Sequence, residues 1–136
     1  NKYPGAPSVQ QNIVENKPFL LGNLEVVPIK VNHGKLKIFG YRFKDVAYLT
    51  DVNDIPDEAM EQLSGLNYLI LDALHRKEHY SHFNLTQAIE WATKIGARHT
   101  YFIHMSHYMG KHEDVEKELP EGMQLSFDGL RIPVTI

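Results

Sequence analysis

The sequence contains no cysteine. That absence excludes a disulfide framework, a thiolate zinc site and a thiol nucleophile within this chain. No apolar run approaches the roughly 20 residues that cross a bilayer, and the opening residues lack the basic-then-apolar order of a secretory signal. A cytoplasmic location is the corresponding expectation. An excess of one charge is missing too. Seventeen Asp and Glu stand against fourteen Lys and Arg, for a formal net charge of −3. Binding to nucleic acid ordinarily needs a basic surface, so nucleic acid is not the expected partner. Neither an internal repeat nor a linker divides the 136 residues, a length suited to one globular domain. The chain begins at Asn1 rather than Met, which leads us to expect a processed or cut-down product. Histidine, by contrast, is plentiful. There are eight, and where they fall matters more than how many there are.

Residues 1–18, with Pro4, Pro7 and Pro18, are expected to form an irregular lead-in. Leu24 to Val31 is rich in Val, Ile and Leu and predicts a strand, with Pro28 pointing to an edge or a bulge. Lys35 to Phe43 alternates polar with apolar residues, and Val46 to Thr50 is a short apolar strand. Pro56 to Leu63 predicts a helix with proline in its first turn and Ala59, Met60 and Leu63 on one face. Leu66 to Leu71 is almost continuously apolar, as in a strand buried on both faces. Leu85 to Ile95 is the strongest helix: Leu85, Ala88, Ile89, Ala92 and Ile95 form a stripe, Asn84 and Gln87 a capping box, and Gly96 the stop. A strand at Thr100 to Ile103 and a short helix at Asp114 to Leu119 follow. Met123 to Phe127 and Leu130 to Ile136 are expected to pair as a hairpin around Asp128-Gly129. Strands separated by helices indicate an α/β sheet, mixed and flanked by helices.

Four of these strands run into a histidine or an aspartate: His33, Asp51, Asp72 and His104. In an open α/β sheet, ligands sit outside the carboxyl ends of the strands, so these positions would share one rim. Histidine and aspartate together suit zinc, manganese or iron, and a carboxylate can bridge two such ions. Singly, each has a plainer explanation, since Asp after a strand commonly forms a turn or caps a helix. Four at equivalent strand ends favour a shared site. His82 precedes the Asn84 cap by two residues, near a helix N-terminus, where it would serve as a general acid or hold a phosphate. His75 and His79, in the same polar loop, are expected to be solvent-exposed, as are His99 and His112. His107, three residues after His104, is placed to join the same metal, to support it from behind, or to belong to another site.

The stretches NHGKLKIFGYRF, VAYLTDV, YLILDALHR, SHFNLTQAIEWATKIGA and YFIHMSH, with the closing Phe127-Asp128-Gly129, resemble the C-terminal half of metallo-β-lactamase-fold hydrolases. Within that family they are most similar to the branch holding the phosphoribosyl cyclic phosphodiesterase, whose relatives include tRNA-3′-processing nucleases. The resemblance runs from about Leu20 to the C-terminus. It implies an αββα sandwich with a two-metal site, zinc or manganese, at one edge. It also implies His33 on the first ion, Asp51 bridging both, His104 on the second, His82 acting on the leaving group, and Asp72 as a supporting carboxylate. His107 matches a position that in some relatives joins cysteines in a separate zinc site, and this chain has no cysteine.

The family signature His-x-His-x-Asp-His is absent, because no two histidines here are separated by one residue. Residues 19–136 are therefore expected to be the C-terminal half of a hydrolase domain. The intact enzyme would cleave a small phosphate ester, most naturally as a phosphodiesterase using a hydroxide held between two metals. The chain alone is expected to be inactive, to bind metal weakly, and to self-associate through an open sheet face or edge. The alternatives are a nuclease or a thioester or lactam hydrolase of the same fold, or an interaction module without catalysis.

Overall fold

The computed structural model describes residues 7–135. Residues 7–18 contain no helix or strand, as expected for the lead-in, of which the first six residues lie outside the described range. Seven strands then form one mixed sheet in sequential order: β1 (Phe19–Leu21), β2 (Leu24–His33), β3 (Leu36–Phe43), β4 (Val46–Leu49), β5 (Tyr68–Asp72), β6 (His99–Ile103) and β7 (Met123–Leu125). β1 to β4 pair antiparallel, and β4 to β7 pair parallel. The parallel crossovers carry α1 (Asp57–Glu61), α2 (Leu85–Ile95) and α3 (His112–Glu116), because parallel strands cannot be joined by a tight turn.

One sheet face is the core face. Ile29, Val31, Leu49, Leu69, Leu71 and Phe102 are inaccessible to solvent there, and Leu85, Ala88 and Ala92 of α2 are buried with them. The helix has the capping box and left-handed Gly96 that its sequence requires. Gly40 faces Leu49 so closely that a Cβ would lie 2.2 Å from its Cδ2. The other face carries a cross-strand row of Tyr41, Tyr48, Ile70 and Tyr101, in which Tyr48 remains 43% exposed.

Several boundaries differ from the sequence expectation. β1 is an added strand, closed onto β2 by Gly22-Asn23. β1 pairs only with Leu24 to Val26, so Pro28 lies beyond that ladder, where a missing N–H costs little. α1 is shorter than Pro56 to Leu63 and passes into turns after Glu61, although Leu63 still reaches the core. α3 begins two residues before Asp114 and is anchored by the buried Val115. The terminal hairpin does not form. β7 pairs in parallel with β6, and residues 130–135 contain no strand; Ile136 lies outside the described residues. Pro133 in that run has no N–H to give a ladder. No helix among the described residues is long and apolar enough to cross a membrane.

Candidate metal centre

β2 and β4 both run antiparallel to β3, and β5 and β6 run parallel to β4. Their carboxyl ends therefore share one edge of the sheet. His33 closes β2, Asp72 closes β5, Asp51 lies two residues past β4, and His104 directly follows β6. Asp51 and His104 take left-handed backbone angles, with φ of 59° and 64°. That region disfavours residues bearing a Cβ, so strain is concentrated where two strands meet the site. Backbone bonds brace these ends: Phe83 N–H donates to Val52 O, Leu74 N–H to Phe83 O, Ala73 N–H to Ile103 O, and Ser106 N–H to Leu74 O.

His82, from the loop before α2, lies at the centre. Its ring centroid is 4.8 Å from that of His33 and 4.9 Å from that of His104. Its Nδ1 is 3.9 Å from Asp51 Oδ1 and 3.6 Å from Asp72 Oδ2. His104 Nε2 approaches the same Asp51 oxygen to 3.5 Å. One ligand atom each from His33, Asp51 and His82 lie within 4.8 Å of one another. All five residues singled out by the sequence thus meet at this edge. The geometry also differs from the expected division of labour, because His82 stands inside the tightest donor group and His104 flanks it.

The donor set fits a divalent ion. His33 Nδ1 lies 2.9 Å from the Ser81 carbonyl oxygen. Nδ1–H donation to that carbonyl leaves the Nε2 lone pair free, the tautomer of a metal-binding imidazole. His82 Nδ1 is buried with no hydrogen-bond partner. Its pKa is lowered, first by burial and then by His104 and His33, with Asp51 opposing. Imidazoles around a carboxylate are ligands of the kind zinc, manganese and iron take.

Asp72 is fully buried. Its Oδ1 accepts the Val52 N–H at 3.1 Å, while its Oδ2 has no hydrogen-bond partner. Burial, the largest influence, pushes its carboxyl up to about 7; the Val52 N–H opposes the rise and Asp51 adds to it. The two orphaned atoms, Asp72 Oδ2 and His82 Nδ1, lie 3.6 Å apart.

Two expectations are corrected here. His75 and His79 are half-buried rather than solvent-exposed, because the loop folds back over the site. The His79 ring packs 5.0 Å from that of His82, and His75 Nδ1 is buried without a partner. His107 lies in a 3₁₀ turn, its ring tilted against that of Tyr108 at 3.9 Å and outside the donor group, and His99 and His112 are exposed. Sequence reasoning missed the Ser81 carbonyl that orients His33, since a backbone acceptor leaves no mark in residue identity.

A family model described as "Beta-lactamase superfamily domain" matches residues 3–105. The chain belongs to that superfamily. Its metallo-β-lactamase fold is shared with a solved diphosphatase from the PhnP family, at 42% identity and a TM-score of 0.87, over 90% of this chain and 48% of that one. It is shared also with the Bacillus subtilis metallo-β-lactamase-fold protein YhfI, at 20% identity and a TM-score of 0.71, over 87% of this chain and 53% of that one. A Porphyromonas gingivalis protein named octanoyltransferase is 36% identical over 132 residues, which are 96% of this chain and 27% of that protein. The chain thus spans about half the length of these solved relatives and about a quarter of the P. gingivalis protein. A metallo-β-lactamase fold implies divalent metals, and a His-Asp-His donor group is present at the carboxyl edge of the sheet.

Proposed function

We propose that residues 19–136 form the C-terminal half of a divalent-metal-dependent hydrolase domain that cleaves a phosphoric ester or anhydride in a small substrate. The observation that carries this reading is the convergence of His33, His82 and His104 on Asp51 at the carboxyl edge of the sheet. The 42% identity to a diphosphatase supports the phosphoryl bond as the one cleaved.

In this reading His33, Asp51 and His104 would hold two divalent ions, zinc or manganese. Such ions supply charge stabilisation on phosphate oxygens and an activated nucleophile. His82 gives a proton to the leaving oxygen. Asp72, 3.6 Å from His82 Nδ1, positions the ring and compensates its charge when it is protonated. Three donors from this chain would be too few for two ions, since a catalytic zinc usually keeps three protein ligands of its own. The chain by itself is accordingly proposed to be inactive and to hold metal weakly. The acyl transfer in the name of the P. gingivalis protein lends little to this reading, because the matched segment is 27% of that protein.

The experiment compares metal content and hydrolysis of bis(p-nitrophenyl) phosphate for the natural full-length protein, for this chain alone, and for two full-length variants. Asp51→Ala is expected to lose both metal and activity. His82→Ala is expected to keep its metal and lose about 100-fold or more in turnover. Metal loss in His82→Ala as complete as in Asp51→Ala would move His82 into the ligand set. A metal-loaded wild type inactive on diesters and diphosphates alike would overturn the hydrolase reading. Full activity of this chain alone would overturn the half-site reading.

A further inference from the structure

A second feature opens directly beside the donor group. A cavity of about 490 Å³ starts at His33 and is walled by the β2–β3 turn and the loop before α2. The wall on the turn side is firmly built. Gly34 has φ of 59°, donates its N–H to Asn53 Oδ1 at 2.6 Å, and packs on the loop at ordinary contact distance, where a Cβ would lie 3.5 Å from Ser81 Cβ and 3.6 Å from Tyr80 Cδ2. The His33 contact to the Ser81 carbonyl fastens the same two segments together.

Tyr80 lines the cavity from the loop before α2, against Gly34. It is 82% exposed, an unusual place to leave a large aromatic ring, yet it is not loosely placed. Its ring lies 4.7 Å from the His79 ring, and the His79 ring lies 5.0 Å from His82. A row of rings therefore leads from the cavity to the group assigned to the leaving oxygen. The exposed Lys35 adds a cation to the same cavity, and Leu36, 63% exposed, adds apolar surface. Together these offer a flat ring surface, an apolar wall and one positive charge within reach of a phosphate centre.

We propose that this cavity takes a planar aromatic arm of the phosphate substrate, an aryl group or a nucleobase, stacked on Tyr80 with Lys35 beside its polar edge. The proposal rests on the hydrolase reading above and adds to it the class of substituent next to the scissile phosphate. Base or aryl stacking on an aromatic side chain changes affinity by about tenfold or more. A methyl group in the same place has no face to stack.

The test uses the metal-loaded full-length protein and three diesters sharing p-nitrophenolate as leaving group, whose other arm is methyl, phenyl or thymidine 5′. Wild type is expected to prefer an aromatic arm over methyl about tenfold in kcat/KM. Tyr80→Ala should erase most of that preference, and Tyr80→Phe, which keeps the ring, should retain it. The phenyl and thymidine arms distinguish an aryl group from a nucleobase as the better occupant. A preference unchanged in Tyr80→Ala, or absent in wild type, overturns the proposal while leaving the hydrolase reading standing. If no ester is cleaved, the hydrolase reading fails, and the cavity is judged by calorimetric binding of phenyl phosphate against methyl phosphate. Selective binding of phenyl phosphate that weakens about tenfold in Tyr80→Ala supports it, and equal binding by both proteins overturns it.

Discussion

Replacing Asp72 by Asn separates the electrostatic cost of that carboxyl from its packing. The side chain is fully buried and spends one oxygen on the Val52 N–H. Asparagine keeps that acceptor and a similar volume but cannot ionise. Burial raises the Asp72 pKa from 3.8 to about 7, so the folded protein holds this proton more tightly than the unfolded chain does. The stabilising contribution is then complete below the unfolded pKa and is lost as pH climbs through the folded one. At about 1.4 kcal/mol per unit, the loss between pH 4 and pH 8 is at most about 4 kcal/mol. His82 has a lowered pKa and contributes in the opposite sense; its Nδ1 is 3.6 Å from Asp72, so the two titrations are coupled and the difference between the proteins reports the pair. Urea unfolding of the chelator-treated proteins from pH 4 to pH 8 measures the effect. Asp72→Asn should gain on wild type steadily across that interval and level off above about pH 7. Parallel stability curves would mean that Asp72 ionises without penalty, and the argument from burial would fall.

Gly40→Ala places a Cβ 2.2 Å from Leu49 Cδ2 and 2.9 Å from the Tyr48 carbonyl oxygen. It should cost about 1–3 kcal/mol through overpacking, read as a lower urea midpoint. Asn84→Ala removes the acceptor of the Gln87 N–H at 2.8 Å and should cost about 1 kcal/mol. An unchanged melting temperature would show that the cap is dispensable. Arg76 pairs with Glu118 through two 2.8 Å contacts, but both side chains are about half exposed. Glu118→Gln should therefore leave the urea midpoint nearly unchanged, and a clear drop would refute that reading. Sedimentation of this chain alone should show concentration-dependent self-association through the face bearing Tyr41, Tyr48 and Tyr101, whereas a monomer at every concentration would refute it.

The sequence by itself determined the elements whose stability is local. Helix α2 begins and ends where Asn84, Gln87 and Gly96 place it, because capping bonds span only three or four residues and a left-handed stop favours glycine. Apolar alternation located the strands that carry the core. It also showed that His33, Asp51, Asp72 and His104 fall at strand ends, since chain order alone tells where a strand stops. The tertiary structure decided what depends on partners distant in the chain. β7 lies parallel to β6 and takes no hairpin with the residues after Asp128-Gly129, because a ladder already in place outcompetes a turn signal followed by a proline-bearing run. The folded loop, held by bonds such as Phe83 N–H to Val52 O, brings His82 between His33 and His104 and buries half of His79. Asp72 owes its high pKa to the same closure. Residue identity names a carboxyl, but desolvation exists only once separate segments have closed over it.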